Sequence, residues 1–252
     1  LVFKRKSRSI MHIATHGIVA SSVGGATPAF TNTLSTTFDG TDDFVKVGTS
    51  SLGITTAISI SAWVKTASSG SNQYIIAEDP RSNGKRNWIL QIRADGKFQC
   101  VIWSSNGSSL TSSITPLTYN NGQWHNVIAT FDGTTNANGL KIYVDGTLAS
   151  QATASVSGIF SFSSSEPTIG AEGSALNLTF LGNIDEVAVW NSDQSANASA
   201  IGGTIPTDLT SYSPLSWWRM GDGDTYPTIT DNAGSNDGLM KNMSSANFVA
   251  DV

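Results

Sequence analysis

The stretch from Gly122 to Gly146 constrains the fold of this chain most strongly, because it contains two strand patterns and two turn signals. Residues 124–131 and residues 140–144 alternate between two faces with a period of two, which is the period of a β-strand and not of a helix. Each pattern ends in Asp-Gly, a pair that favours tight reversals because glycine accepts positive φ and aspartate bonds its own backbone. The stretch therefore predicts an antiparallel meander.

The composition agrees with a single all-β domain. The chain has 252 residues, of which 39% are hydrophobic and 24 are glycine, and β-sandwiches of this length commonly form one domain. Its one cysteine, Cys100, excludes an intrachain disulfide. No apolar run approaches the roughly 18 residues of a membrane span, so we expect no membrane insertion.

Three further stretches add strand and turn patterns in a specific order. Residues 37–45 read TFDGTDDFV, residues 58–65 read ISISAWVK and residues 182–191 read GNIDEVAVWN. Together with WHNVIATFDG and LKIYVDG at 124–133 and 140–146, they resemble laminin G-like domains of the concanavalin A-like lectin/glucanase superfamily. The resemblance spans roughly residues 34 to 200. It implies an antiparallel two-sheet jelly-roll sandwich, and it says less about function because a fold does not fix a site.

Two segments lie outside this pattern. Residues 1–33 carry a basic cluster and are interpreted as an arm and linker that is flexible or docks on an acidic partner; a cleaved signal peptide is the alternative. Residues 205–252 contain Trp217-Trp218 and resemble the segment that usually opens such a domain. We predict that they complete the sheet of a domain spanning residues 34–252, because two adjacent tryptophans are costly to leave exposed; a truncated second repeat is the alternative.

Residues 87–103 predict a hairpin whose register depends on the length of its turn. A two-residue turn at Asp95-Gly96 mixes polar and apolar residues on each face. A three-residue turn, with Gly96 in the left-handed conformation, makes one face wholly apolar. We predict this second register, in which the apolar face consists of Trp88, Leu90, Ile92, Phe98, Cys100 and Ile102 and Cys100 is a core thiol.

The polar face of this hairpin is the predicted ligand-binding surface. An indole can stack on a sugar ring, while amide and guanidinium groups bond its hydroxyls. The alternative is that a loop, or the tail with Trp217 and Trp218, covers this face. The predicted ligand-binding residues are Asn87, Gln91, Arg93, Gln99 and Trp103.

The resemblance also implies a structural calcium ion, because related jelly rolls often tie their first and last strands together with one. Calcium prefers six to eight oxygen ligands. Matching the motifs residue by residue gives Asp39, Asp42 and Asp185 as the metal ligands, with Asp222 and Asp224 as a weaker second pair. Asp before Gly is also common as plain turn chemistry, which is the alternative.

Catalysis is not expected. Glycosidases need paired carboxylates about 5 to 9 Å apart, and the four glutamates are scattered. Asp185 and Glu186 are neighbours on a predicted strand, which should direct them to opposite faces. His125 is expected to be a satisfied core or edge residue. The folded part is acidic, so we expect no nucleic acid partner.

Two classes of function remain. Residues 13–22 (IATHGIVASS), 217–223 (WWRMGDG) and 242–244 (NMS) resemble laminin G-like virion proteins of bacteriophages. This resemblance implies a non-catalytic capsid decoration or tail-fibre protein at the virion surface, able to bind glycans and partnered by other virion proteins or by further copies of itself. The alternative is a secreted or cell-surface lectin module located outside the cell. Co-purification with a large particle would distinguish them.

Overall fold

The computed structural model describes residues 30–79, 86–161, 165–173 and 178–250. Within these ranges the chain forms two antiparallel sheets of eight strands each, so the predicted all-β, two-sheet jelly-roll sandwich is confirmed. Among the residues described, helical structure is limited to α1 (Ala198–Ile201) and to single 3-10 turns such as Thr210–Tyr212 and Ser245–Asn247. Most of the predicted arm, residues 1–29, lies outside the described residues.

The strands have these bounds, in chain order: β1 (Ser35–Asp39), β2 (Phe44–Val47), β3 (Ile58–Lys65), β4 (Gln73–Glu78), β5 (Trp88–Ile92), β6 (Phe98–Trp103), β7 (Leu110–Ile114), β8 (Trp124–Phe131), β9 (Leu140–Val144), β10 (Thr147–Gln151), β11 (Thr168–Ile169), β12 (Leu181–Trp190), β13 (Ser216–Trp218), β14 (Thr228–Ile229), β15 (Gly238–Lys241) and β16 (Phe248–Val249).

The first sheet has the order β10-β9-β8-β3-β12-β1-β16, and β13 also pairs with β12. The meander predicted from residues 122–146 forms its β8-β9 pair, with Val127 opposite Val144 and Phe131 opposite Leu140. Strand β12 is the longest strand and has two successive neighbours on one side. Its first half pairs with β1 and its second half pairs with β13.

The second sheet has the order β14-β15-β2-β11-β4-β5-β6-β7. The β5-β6 hairpin has the register predicted from the sequence, with Leu90 opposite Cys100 and Gln91 opposite Gln99. Gly96 adopts φ 79° in the turn, and a Cβ there would lie 2.0 Å from the side-chain oxygen of Asn120. Both the backbone conformation and the close approach therefore require glycine.

The core lies between the two inner faces and is apolar. Trp88, Leu90, Ile92, Phe98, Cys100 and Ile102 all belong to it, and Cys100 is 1% exposed. Because one register slip would move this whole set to the outside, core burial fixes the pairing of β5 with β6.

The residues after α1 contribute strands to both sheets. Strand β13 pairs with β12 and strand β16 with β1 in the first sheet, whereas β15 pairs with β2 in the second. Trp217 and Trp218 are 5% and 0% exposed. Trp218 packs in the sandwich core, and Trp217 packs on the outer face of the first sheet with Ile128 and Trp190. In the described chain no helix is both long and apolar enough to cross a membrane.

Candidate functional site

A cavity of about 340 Å³ opens on the outer face of the second sheet, across strands β4 to β7. We call it the outer-face pocket. It is lined by Asn72, Tyr74, Arg86, Ile89, Gln91, Gln99, Val101, Trp103, Leu110, Ser112 and Leu178. The pocket lies on this face because the side chains of β5 and β6 point alternately to the two faces of the sheet. The apolar side chains point into the core, and those of Gln91, Gln99 and Trp103 point outward.

A ladder of polar side chains runs across the floor of this pocket. The side-chain amide of Gln91 donates to Oε1 of Gln99 at 2.8 Å, and the amide of Gln99 donates to Oγ of Ser112 at 2.9 Å. The three residues lie on the adjacent strands β5, β6 and β7. Their mutual bonds fix the side-chain orientations and leave further donor and acceptor capacity, because each amide has two N–H donors and a carbonyl oxygen.

An aromatic and a cation form one wall of the pocket. The guanidinium of Arg86 lies 5.4 Å from the ring centroid of Trp103, within the range of a cation–π interaction. Arg86 also pairs with Asp79 at 3.4 Å, and the hydroxyl of Tyr74 donates to the same carboxylate at 3.4 Å. Trp103 is half-buried and packs on Tyr74, Ala77 and Ile89. The indole is thus held in place while part of it stays accessible.

Three of the five predicted ligand-binding residues line this pocket, and two do not. Asn87 is 1% exposed, and its side-chain amide donates to Oε1 of Glu78 at 2.5 Å. Burial raises the pKa of Glu78, and the bonds from Ser51, Leu52 and Asn87 oppose that rise. Arg93 pairs with Asp95 at 3.2 Å in the hairpin turn. Asn87 precedes β5 and still pairs with Trp103, whose backbone N–H donates to its carbonyl, but its amide turns to Glu78 and it does not line the pocket with Gln91.

The predicted metal ligands are not brought together as a group of three. In the pairing of β1 with β12, Asp39 lies opposite Leu181 and Thr36 opposite Ile184. Asp185 is therefore four residues further along, roughly 13 Å away at about 3.3 Å per residue. The carboxylates that do lie together are those of Asp39, Asp42 and Asp43, whose ligand oxygens are all within 4.8 Å of one another.

Hydrogen bonds already occupy some of the carboxylate oxygens of Asp39 and Asp43, which limits the number that could bind a cation. One oxygen of Asp39 accepts from the backbone N–H groups of Thr41 and Asp42, and these bonds hold the pKa of Asp39 below its usual value. One oxygen of Asp43 accepts from Asn247 at 3.1 Å. The second oxygens of these aspartates and the carboxylate of Asp42 are the groups that would hold calcium, which prefers such hard oxygen ligands.

Asp185 and Glu186 lie on the same face of β12, which corrects the sequence-based expectation of opposite faces. The pairing of β12 with β3 shifts register between Asp185 and Ala188, and Glu186 adopts φ 47°. The extra residue of such a bulge changes the alternation of side chains. The bulge lies where the neighbouring strand changes from β1 to β13. Both carboxylates consequently point to the outer face of the first sheet and are buried, at 0% and 2% exposure.

The residues that cover these carboxylates form a closed cluster. The amide of Asn32 donates to Asp185 at 2.7 Å, while Trp217 and Arg219 donate to Glu186 at 2.5 and 3.0 Å. Burial raises the pKa of Asp185 to about 8, and the adjacent Glu186 adds to that rise. Burial raises the pKa of Glu186 to about 7 despite the opposing charge of Arg219.

The model of the concanavalin A-like lectin/glucanases superfamily matches residues 39–198, more than half of this chain. The chain belongs to this superfamily. Its structure is similar to that of a Bacteroides ovatus protein proposed to bind carbohydrate, with a TM-score of 0.59 and 17% identity over 85% of this chain and 60% of that chain. This chain thus spans less than two thirds of that relative.

Two other solved structures are similar to that of this chain. A heptameric SAP-like pentraxin from Limulus polyphemus gives a TM-score of 0.52 and 14% identity, over 82% of this chain and 95% of that chain. Domains LG4–5 of the mouse laminin α1 chain give a TM-score of 0.48 and 15% identity, over 66% of this chain and 44% of that chain. No curated protein matches the sequence.

The second predicted pair of metal ligands, Asp222 and Asp224, accepts hydrogen bonds from backbone N–H groups. Asp222 accepts from the N–H groups of Thr33 and Leu34 and from the hydroxyl of Thr33. Asp224 accepts from Gly221 and Thr230, and burial raises its pKa. His125 contacts Asp145 at 2.8 Å at the start of β8, as expected for a satisfied edge residue.

Sequence reasoning missed several residues of the outer-face pocket. Arg86, Asn72 and Ser112 come from three separate segments that the sheet brings together. The position of Ser112 could have been predicted, because side chains alternate along β7 and β7 pairs with β6. Arg86 and Asn72 lie next to strands in segments without periodicity, so the sequence carries no pattern that places them.

Proposed function

We propose that this protein is a non-catalytic carbohydrate-binding module and that the outer-face pocket holds the glycan. The observation that carries the proposal is the amide–hydroxyl ladder of Gln91, Gln99 and Ser112 beside the half-buried indole of Trp103. Fixed amides match the hydroxyl groups of a sugar, and an indole offers an apolar surface to the faces of the ring. The carbohydrate binding proposed for the similar Bacteroides ovatus protein supports the same interpretation.

The charge of the pocket narrows the ligand class. Among its described lining residues, Arg86 is the one with a formal charge. Its pairing with Asp79 offsets part of that charge. A neutral oligosaccharide, or one that carries a carboxylate, is therefore compatible with the pocket, whereas a cationic ligand would face the guanidinium directly.

The non-catalytic part of the proposal rests on the closure of the Asp185–Glu186 pair. These neighbours share a face, but they are almost completely buried beneath Asn32, Trp217 and Arg219. A glycosidase must bring two carboxylates into contact with the scissile bond and with water. In the described part of the chain this pair has no such access.

Glycan-array binding followed by calorimetry tests the proposal, using Trp103→Ala and Gln99→Ala. We expect the first variant to abolish binding and the second to weaken it by about tenfold, which is the loss of roughly one net hydrogen bond to the ligand. Trp103→Ala should also cost about 2 kcal/mol of stability, below the ~3–5 kcal/mol of a fully buried tryptophan.

Trp124→Ala is the matched control, because Trp124 is a half-buried tryptophan on the first sheet. It should retain binding. Undiminished binding by Trp103→Ala, or a wild-type protein that binds no glycan on the array, would refute the assignment of the pocket.

A virion location is a separate proposal that rests on the short stretches resembling bacteriophage proteins. In one of them, Trp217 and Trp218 are buried and Gly221 has φ 142°, so packing alone accounts for several of its residues. Co-sedimentation of the native protein with a large particle tests this proposal. Recovery of only free protein from the native source would contradict it.

A further inference from the structure

One sheet edge lacks the features that normally prevent association. An exposed edge strand presents unpaired backbone groups, and proteins usually blunt it with a very short strand, a bulge, a proline or a charge. The edge strands β14 and β16 have two residues each, and β10 has a register shift between Leu148 and Ser150. Strand β7 has five residues and pairs with β6 without a shift.

Strand β7 also lacks charge. No Asp, Glu, Lys, Arg or His occurs from Phe98 to Trp124. Instead, Leu110 and Ile114 are 51% and 39% exposed, and Leu117 is 66% exposed just beyond the strand. Exposed aliphatic residues beside an uncharged edge favour association over repulsion.

The phase of the ladder shows which residues of β7 face the free edge. Ser104 donates to the carbonyl of Ser109, and Thr115 donates to the carbonyl of Phe98. Because hydrogen-bonded and non-hydrogen-bonded pairs alternate in an antiparallel ladder, Thr111 and Ser113 bond with β6. Leu110, Ser112 and Ile114 therefore direct their backbone groups away from β6.

The inner side of β7 is anchored. The hydroxyl of Thr111 donates to the carbonyl of Ala154 at 2.6 Å, and Ser113 shares a 2.9 Å hydrogen bond with Ser150. These bonds tie the strand to the edge of the first sheet. The outward groups are thus presented on a fixed strand, which lowers the ordering cost of pairing.

We propose that β7 is a homodimer interface, in which two copies pair antiparallel about Ser112 and join their second sheets into one. A two-fold interface requires a self-complementary surface. The sequence Leu110-Thr-Ser-Ser-Ile114 meets this requirement, because antiparallel pairing sets Leu110 opposite Ile114 of the other copy and Ser112 opposite itself. Every outward N–H and C=O group of these three residues then gains a partner.

The dimer would also bring two ligand sites onto one surface. Leu110 and Ser112 line the outer-face pocket as well as the edge, so the two pockets would lie side by side across the joint. This consequence rests on the proposed function, whereas the interface itself does not.

Two double variants that introduce charges at positions 110 and 114 test both the interface and its register. Leu110→Lys with Ile114→Lys puts like charges opposite each other in both pairs, and sedimentation equilibrium should show the dimer dissociation constant raised at least tenfold. Leu110→Lys with Ile114→Glu instead sets Lys opposite Glu, so the dimer should persist and weaken with added salt. Circular dichroism and melting curves confirm that both variants are folded.

A cysteine at the centre of the strand gives an independent measurement. Residues opposite each other in a hydrogen-bonded pair have Cα atoms about 5.5 Å apart, within the range of about 4.4–6.8 Å that a disulfide spans. Ser112→Cys should therefore form a covalent dimer under mild oxidation, whereas Leu148→Cys on the bulged edge should not. The native Cys100 is buried and does not compete.

Three results would overturn the proposal. The first is a wild-type protein that sediments as a monomer at every attainable concentration. The second is a dimer that survives the double-lysine substitution. The third is a folded Lys–Glu variant that is monomeric at low salt, which would exclude this register.

Discussion

Asp185→Asn should stabilise the protein at alkaline pH. The carboxylate of Asp185 is buried and lies beside Glu186, so its ionisation in the folded state is costly. Asparagine has the same shape and no charge. In addition, Oδ1 of Asp185 and Oδ1 of Asn32 are both buried without a hydrogen-bond partner, and an amide at position 185 supplies a donor at this point.

The sign of the pH dependence follows from the raised pKa. The folded protein holds a proton on Asp185 up to about pH 8, whereas the unfolded chain loses it near the ordinary aspartate pKa of 3.8. The stability that this group contributes is complete below about pH 4 and is lost as the pH rises through about 8. Asp185→Asn removes that loss, so its stability curve should be flatter.

The pKa shift of Asp185 sets the size of the expected change in stability. Each pKa unit corresponds to about 1.4 kcal/mol, and the rise from 3.8 to about 8 gives an upper limit of roughly 6 kcal/mol. Part of the shift comes from Glu186 and is shared between the two carboxyls. We therefore expect Asp185→Asn to gain about 2 to 4 kcal/mol near pH 9 and almost nothing near pH 4.

Urea denaturation followed by tryptophan fluorescence, repeated between about pH 4 and about pH 9, measures this difference. Asp42→Asn, measured with a chelator present, is the control for removing a carboxylate that is exposed instead of buried. An Asp185→Asn variant that follows the wild-type pH profile, or that is less stable than wild type near pH 9, would refute this prediction.

Three further predictions concern separate parts of the molecule. Burial raises the pKa of Cys100 to about 12, so we expect no reaction with a thiol reagent until the protein unfolds, which a reaction time course in urea would show. Calcium should raise the melting temperature through Asp39, Asp42 and Asp43, and Asp42→Asn should reduce the rise; a melt unaffected by chelation would contradict this. Asp231→Ala should cost about 3 kcal/mol or more in urea denaturation, because its carboxylate accepts four backbone N–H bonds, one from Trp217 of β13 and three from the loop that follows Asp231; a loss below about 1 kcal/mol would contradict it.

The elements that could be predicted are those in which alternation and turn chemistry agree. The β8-β9 meander carries both a period of two and Asp-Gly turns. The β5-β6 register could be chosen because only one turn length makes a wholly apolar face, and the structure has Leu90 opposite Cys100 as that choice requires. Such patterns are local consequences of burial on one side of a sheet.

The candidate functional sites were harder to predict, because several of their residues depart from the regular alternation of side chains along a strand. Nothing in the sequence signals the bulge at Asp185 and Glu186, since a glutamate and not a glycine adopts the positive φ. Asn87 lies outside strand β5, and its amide turns to the buried Glu78. Asp43 joins Asp39 through a tight turn whose side-chain directions the motif does not reveal.

The two outer faces of the sandwich differ in how they are covered, and this difference explains where a ligand can bind. On the first sheet, Trp190, Trp217 and Ile201 form an apolar cluster with Leu209, and Phe30 packs against it, so this part of the face is covered by the protein's own chain. The tail thus places Trp217 away from the second sheet, which removes it as a cover for Trp103. Across β5 to β7 the described chain leaves the polar ladder lining an open pocket, and a recognition site on this fold is accordingly expected there rather than above the buried carboxylates.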